Sequence, residues 1–266
     1  MRRIGIALGA GVVAFILASC GTTEPTATLP APEVTVAVAD SGVSLVLSWS
    51  PVDGAKGYKV ECDGQVIADL PDTATMYKIN GNEYVCKNVK LRGYDNKGNM
   101  GDAYEKDLTM HETNLTIYST DDTIATNPSW VKIDFTNFIV SPITQGNVDT
   151  TANNVGYFVY YYDDVLGIRY FKDASQTSVG QAKVEIAFTD PTTDVLAPST
   201  GYSLMSAEVN TGDRFIFWAD DVNNGTYGAF DEADNFGVIK VNSASGTEAN
   251  ITVYIQKVGG LRWVKE

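Results

Sequence analysis

Histidine is almost missing from this chain: His111 is the only one in 266 residues. A Ser-His-Asp triad would therefore need His111, which has no candidate base near it in sequence, and no His-rich zinc site can be assembled. Cations are scarce. Lys and Arg number 19 against 33 Asp and Glu, a formal net charge of −14. So acidic a chain repels phosphate backbones, which excludes nucleic acid as the expected partner, and it gains no anchorage from anionic headgroups. After residue 20 no helix of ten residues fits between the Gly, Asn, Asp and Pro positions. Cysteine is limited to three residues: Cys20, Cys62 and Cys86.

The one uncharged apolar run is at the start. Arg2 and Arg3 precede Ile4 to Leu17, a stretch too short for a mature span, which needs ~20 apolar residues. Leu17-Ala18-Ser19-Cys20 follows. The segment resembles the signal of bacterial lipoproteins. That resemblance implies removal of residues 1–19, diacylglycerol on the Cys20 sulfur, and an acyl chain on its new amine. The alternative is an ordinary secretory signal with a chance Cys at its end. Gly21, rather than Asp, follows Cys20, which by the same resemblance favours the outer membrane or cell surface. Residues 20–33, rich in Thr, Pro and Ala, read as an extended tether reaching up to ~40 Å.

The remainder alternates apolar and polar residues between turn signals. Strand character recurs at 34–39, 44–50, 57–63, 88–94, 114–119, 130–140, 155–163, 168–172, 183–189, 202–209, 214–219, 236–241 and 251–257; 100–106 fits a strand or a short helix. The fold class is all-β, with two β-sandwich domains at 34–110 and 111–258. Residues 259–266 read as a peripheral tail, with Trp263 either docked or exposed.

Ser44 to Val60 (SLVLSWSPVDGAKGYKV) and Leu91 to Asn99 (LRGYDNKGN) carry a second resemblance. They are similar to the B–C and F–G regions of a fibronectin type III domain, and the resemblance covers one full module. Leu45, Leu47 and Trp49 alternate toward one core, as do Tyr58 and Val60. Val89 stands where the family often places its corner tyrosine. In that topology Cys62 ends strand C and Cys86 lies just before strand F, its antiparallel neighbour. An exported context and an even remainder favour a Cys62–Cys86 disulfide; two buried thiols are the alternative. There is no Arg-Gly-Asp sequence.

Two features of the second domain stand out. Asp220, Asp221, Asn223, Asn224, Asp231 and Glu232 crowd one loop around Gly225, a supply of oxygens that suits Ca²⁺. Val222 occupies a position where an EF-hand would carry an oxygen ligand, so the motif is not an EF-hand; a plain polar hairpin is the alternative. The other feature is the strand containing Tyr157, Phe158, Tyr160, Tyr161 and Tyr162, aromatic on both faces. One face must meet the core. The other is either open, to stack a sugar or dock a protein, or covered.

The expected function is that of a membrane-tethered, non-catalytic module binding a glycan or a surface protein. A structural envelope component without a ligand is the second reading. An exported glycoside hydrolase is the third, since many acids are present but no pattern singles out a catalytic pair.

Overall fold

The computed structural model describes residues 28–221 and 229–266. Sixteen strands carry the fold. The first seven are β1 (Val34–Ala39), β2 (Ser44–Trp49), β3 (Gly57–Cys62), β4 (Gln65–Pro71), β5 (Met76–Asn80), β6 (Asn88–Tyr94) and β7 (Met100–Asp107). They form a three-stranded sheet, β1-β2-β5, facing a four-stranded sheet, β4-β3-β6-β7, all antiparallel. This is the seven-strand, two-sheet arrangement that the fibronectin resemblance implies. Residues 100–106 are a strand, because β7 closes the edge of the second sheet against β6.

The alternating positions do what their spacing requires. Leu45, Leu47, Tyr58, Val60, Val89 and Leu91 are buried in one cluster with Trp49, whose ring meets Tyr58 edge-on at 5.4 Å. The Tyr58 hydroxyl accepts from the Val52 amide at 2.8 Å, so its polar end is satisfied. Cys62 and Cys86 are bridged, with Cα atoms 5.3 Å apart. The tether expectation for 20–33 fails at its end: Leu29 packs on this core, and its carbonyl accepts from the Asp102 amide at 2.9 Å. An apolar side chain beside an open core edge docks rather than remaining in water.

The second unit contains β8 (His111–Tyr118), β9 (Trp130–Asp134), β10 (Ile139–Ile143), β11 (Val155–Asp163), β12 (Ile168–Asp173), β13 (Val184–Phe188), β14 (Arg214–Asp221), β15 (Asn235–Ser245) and β16 (Glu248–Ile255). They form one nine-stranded sheet in the order β10-β9-β11-β13-β14-β15-β16-β8, with β12 paired to β11; β10-β9-β11-β12 and β13-β14-β15-β16-β8 share one buried cluster, so the sheet folds over on itself as two layers. A single parallel pair, Gly156↔Val184, joins them at a corner. A Cβ on Gly156 would lie 2.8 Å from the Ile186 side chain, so the corner needs glycine. Phe158, Phe171, Phe188, Phe215 and Phe217 fill the space between the layers with Ile133, Ile186, Ile239 and Ile251.

Residues 202–209 do not form the regular strand their pattern suggests. They cross between β12 and β13 through isolated bridges at Ser203 and Met205. Residues 259–266 are not peripheral. Leu261 and Trp263 lie in the core of the first unit, and Val264 lies against Ile216 and Val238 of the second. Main-chain bonds hold this segment to both sides: Arg262 N to Gly42 O at 3.0 Å, and Val264 N to Val195 O at 2.8 Å.

Candidate functional site

The aromatic strand β11 lies inside its layer, between β9 and β12. Phe158 and Tyr160 face the main core and are fully enclosed. Tyr157 and Val159 face the other way, yet they too are buried, with Trp130, Ala174 and Ala182. Val148 and Ala152 of the β10–β11 connection, Val179 of the β12–β13 connection and Ile143 at the end of β10 provide this cover. The expected open stripe is therefore corrected: Tyr157, Phe158 and Tyr160 present no surface to a ligand. Covering the second face removes a run of large aromatic rings from water, which stabilises more than exposure would.

Tyr161 and Tyr162, at the end of the strand, are half-buried. Arg169 lies over the Tyr162 ring at 4.6 Å and pairs with Asp121 at 2.7 Å. Tyr161 is the residue with a cavity beside it. Strand parity explains the site. Val159 is opposite Trp130 on β9 and Lys172 on β12, so these three form a row across the layer. Tyr161, two residues on, shares their face and is opposite Tyr170, with ring centroids 5.6 Å apart. The Lys172 ammonium lies 4.3 Å from the Tyr161 ring centre. Around them opens a groove of about 320 Å³, to which Thr120, Gln145, Gln176 and Thr177 contribute polar groups. That volume is at the small end of ligand pockets. The sequence pointed to Tyr161 but not to Lys172 or the two glutamines, because their approach depends on the β11–β12 register and on two loops.

The acidic loop is described in part. Asn223 and Asn224 lie outside the described residues. Asp220, the last but one residue of β14, is buried, Asp221 at its end is half-buried, and Asp231 and Glu232 follow later in the chain. Asp234, which the sequence pattern did not single out, is also buried and accepts from the Asp231 amide at 2.9 Å. Burial, and then the carboxylates of Asp220 and Asp231, push its carboxyl up to about 7. Among the described residues no group of three or more His, Cys, Asp or Glu is arranged to hold a metal ion. Cys20 and the segment before it also lie outside the described residues. No described helix is long and apolar enough to cross a membrane.

No family model and no curated protein matches the chain. Among solved structures it is similar to a DUF4466 family protein from Parabacteroides merdae, at 10% identity and TM-score 0.37, over 86% of this chain and 100% of that one. It is also similar to the central fibronectin-III array of RIM-binding protein, at 14% identity and TM-score 0.25, over 82% and 96%. The spore cortex lytic enzyme SleM of Clostridium perfringens is similar at 20% identity and TM-score 0.26, over 30% of this chain and 28% of that enzyme.

Proposed function

We propose that this all-β protein is an exported lipoprotein, anchored through Cys20, whose second unit binds a glycan in the groove beside Tyr161. The observation that carries the reading is the composition of that groove. Tyr161, Gln145, Gln176, Thr120, Thr177 and Ser178 line one cavity, an aromatic residue among neutral polar ones. Aromatic faces suit the apolar faces of sugar rings, and neutral donors and acceptors suit their hydroxyls. The reading is binding rather than chemistry, because no Asp, Glu, His or Cys is among the described residues lining the groove.

A glycan-array screen of the purified full chain in detergent tests the binding half. Binding to a glycan that Tyr161→Ala abolishes, with the melting temperature kept, is expected. Binding that survives this change places the site elsewhere. For the anchor, Cys20→Ala is expected to move the protein from the detergent phase to the aqueous phase. Unchanged partitioning would require another tether.

A further inference from the structure

We infer that the groove beside Tyr161 selects a sugar bearing a carboxylate, a uronate-type residue, through Lys172. The inference rests on the glycan reading above. Its basis is a local reversal of charge. The chain carries 33 acids against 19 bases, and three other grooves on its surface each contain two or more carboxylates. Asp213 and Glu266 line one beside Arg214, Lys240 and Lys265, Asp63 and Glu83 a second beside Lys265, and Asp40, Asp231 and Glu232 a third, so every cation in those grooves faces carboxylates of its own lining. The groove at Tyr161 contains none among the described residues, and its single charge is the Lys172 ammonium.

Among the described residues that ammonium makes no ion pair, and it lies 4.3 Å from the centre of the Tyr161 ring. A cation on an aromatic face keeps its hydrogen-bond donors available while shedding part of its water. A carboxylate entering the groove would accept a charge-assisted bond from it, stronger than a neutral one. Acids farther than about 8 Å are largely screened at physiological salt, and the neighbouring Asp173 points its carboxylate away, onto the amides of Ser175 and Ile186. Neutral partners set the rest of the preference: Gln145 and Gln176 match ring hydroxyls and would leave a second charge unpaired. One carboxylate on an otherwise hydroxylated ring is the chemistry that fits.

The test uses galacturonate oligosaccharides and the same oligosaccharides with their carboxyls methyl-esterified, titrated calorimetrically against the full chain. Wild type is expected to bind the acid form at least about tenfold tighter than the ester, the effect of a single charge-assisted bond. Lys172→Met keeps the aliphatic stem on Tyr161 and removes the charge. It is expected to erase the difference while leaving the melting temperature in place. Equal binding of acid and ester by wild type, with Lys172→Met unchanged, overturns the inference and leaves glycan binding standing. An array on which no glycan binds overturns both. An oligoglutamate peptide binding where galacturonates do not would make the occupant an acidic peptide and also overturn it.

Discussion

The indole Nε1 of Trp263 donates to the carbonyl of Val43, 2.8 Å away and 220 residues earlier in the chain. The ring is buried in the first unit, while the next residue, Val264, packs on the second. Gln256 of the second unit holds the Trp263 carbonyl at 2.6 Å. Lys265 adds a bond to Asp63 at 2.7 Å and another to the Val85 carbonyl. These residues thus clamp the two sandwiches together, with the Trp263 ring fully enclosed in the first. Trp263→Ala is expected to cost about 3–5 kcal/mol by denaturant unfolding and to separate one transition into two. Gly81→Ala offers an independent check. Its Cβ would fall 2.4 Å from the Trp263 Nε1 and 2.4 Å from the Val43 carbonyl, so it should weaken the same contact with the Trp263 side chain itself kept.

The disulfide closes a loop of 24 residues in sequence separation, and the chain-entropy model assigns such a loop about 3 kcal/mol. The double replacement Cys62→Ser, Cys86→Ser is expected to lower stability by that order while keeping the strand content by far-UV circular dichroism. Peptide mapping without reductant should recover one cross-linked pair. Two alkylatable thiols in the folded protein would contradict it.

Asp173 supplies a pH dependence. Its carboxylate accepts from Ser175 N at 2.7 Å and Ile186 N at 2.8 Å, so it ties the end of β12 to β13. Burial outweighs these bonds and raises the carboxyl from 3.8 to about 6. The folded state therefore holds this proton more tightly than the unfolded state. Below about 3.8 both states are protonated and the group makes no difference. As pH rises from there to about 6 the unfolded state releases its proton first, and stability falls by an amount on the order of 3 kcal/mol. Asp173→Asn is expected to flatten that part of the stability–pH curve: it should lie about 1–3 kcal/mol below wild type at the acid end, because one amide N–H loses its acceptor, and should lose that deficit as pH rises past about 6.

Calcium tests the acidic loop. If Asp220, Asp221, Asn223, Asn224, Asp231 and Glu232 hold the ion together, saturating Ca²⁺ raises stability by mass action, by about 2.7 kcal/mol at a hundredfold excess over Kd. The shift should vanish in EDTA and in Asp221→Ala. A wild-type melting curve indifferent to millimolar Ca²⁺ would reduce the loop to a hairpin.

Legibility in the sequence followed the physics of each segment. Strands β1, β2, β3 and β6 were readable because strict alternation of residues such as Leu45, Leu47 and Trp49 survives in a half-buried sheet. β4 and β5 were not, since both are edge strands with few buried side chains and carry little pattern. Residues 130–140 looked like one strand because Phe135 and Phe138 continue the apolar pattern through a turn. There Asp134 accepts from the amides of Thr136 and Asn137, each at 3.0 Å, and Phe138 adopts a φ of 54°. The role of Trp263 could not be read locally, because its partner is at the other end of the chain. The Tyr161 groove was half visible. The aromatic strand announced itself, but which of its rings remain accessible depends on loops whose packing no period encodes.

The same strand gives the sharpest separation of stability from binding. Tyr160 and Tyr161 are consecutive, so they point to opposite faces. Tyr160 is enclosed with Phe171 at 6.0 Å between ring centres, whereas Tyr161 is half-buried beside the groove. Tyr160→Ala empties a site in the main core and is expected to cost about 3–5 kcal/mol, with little left to measure of binding at ambient temperature. Tyr157→Ala should behave in the same way, since its ring is buried against Trp130 in the smaller cluster. Tyr161→Ala removes a partly wet ring at the end of the strand and should cost well under half of that, while losing the glycan. Chemical denaturation of the three variants, run beside the glycan titration, reads both quantities. Equal destabilisation by all three would mean that Tyr161 is core as well, and the groove would lose its aromatic floor.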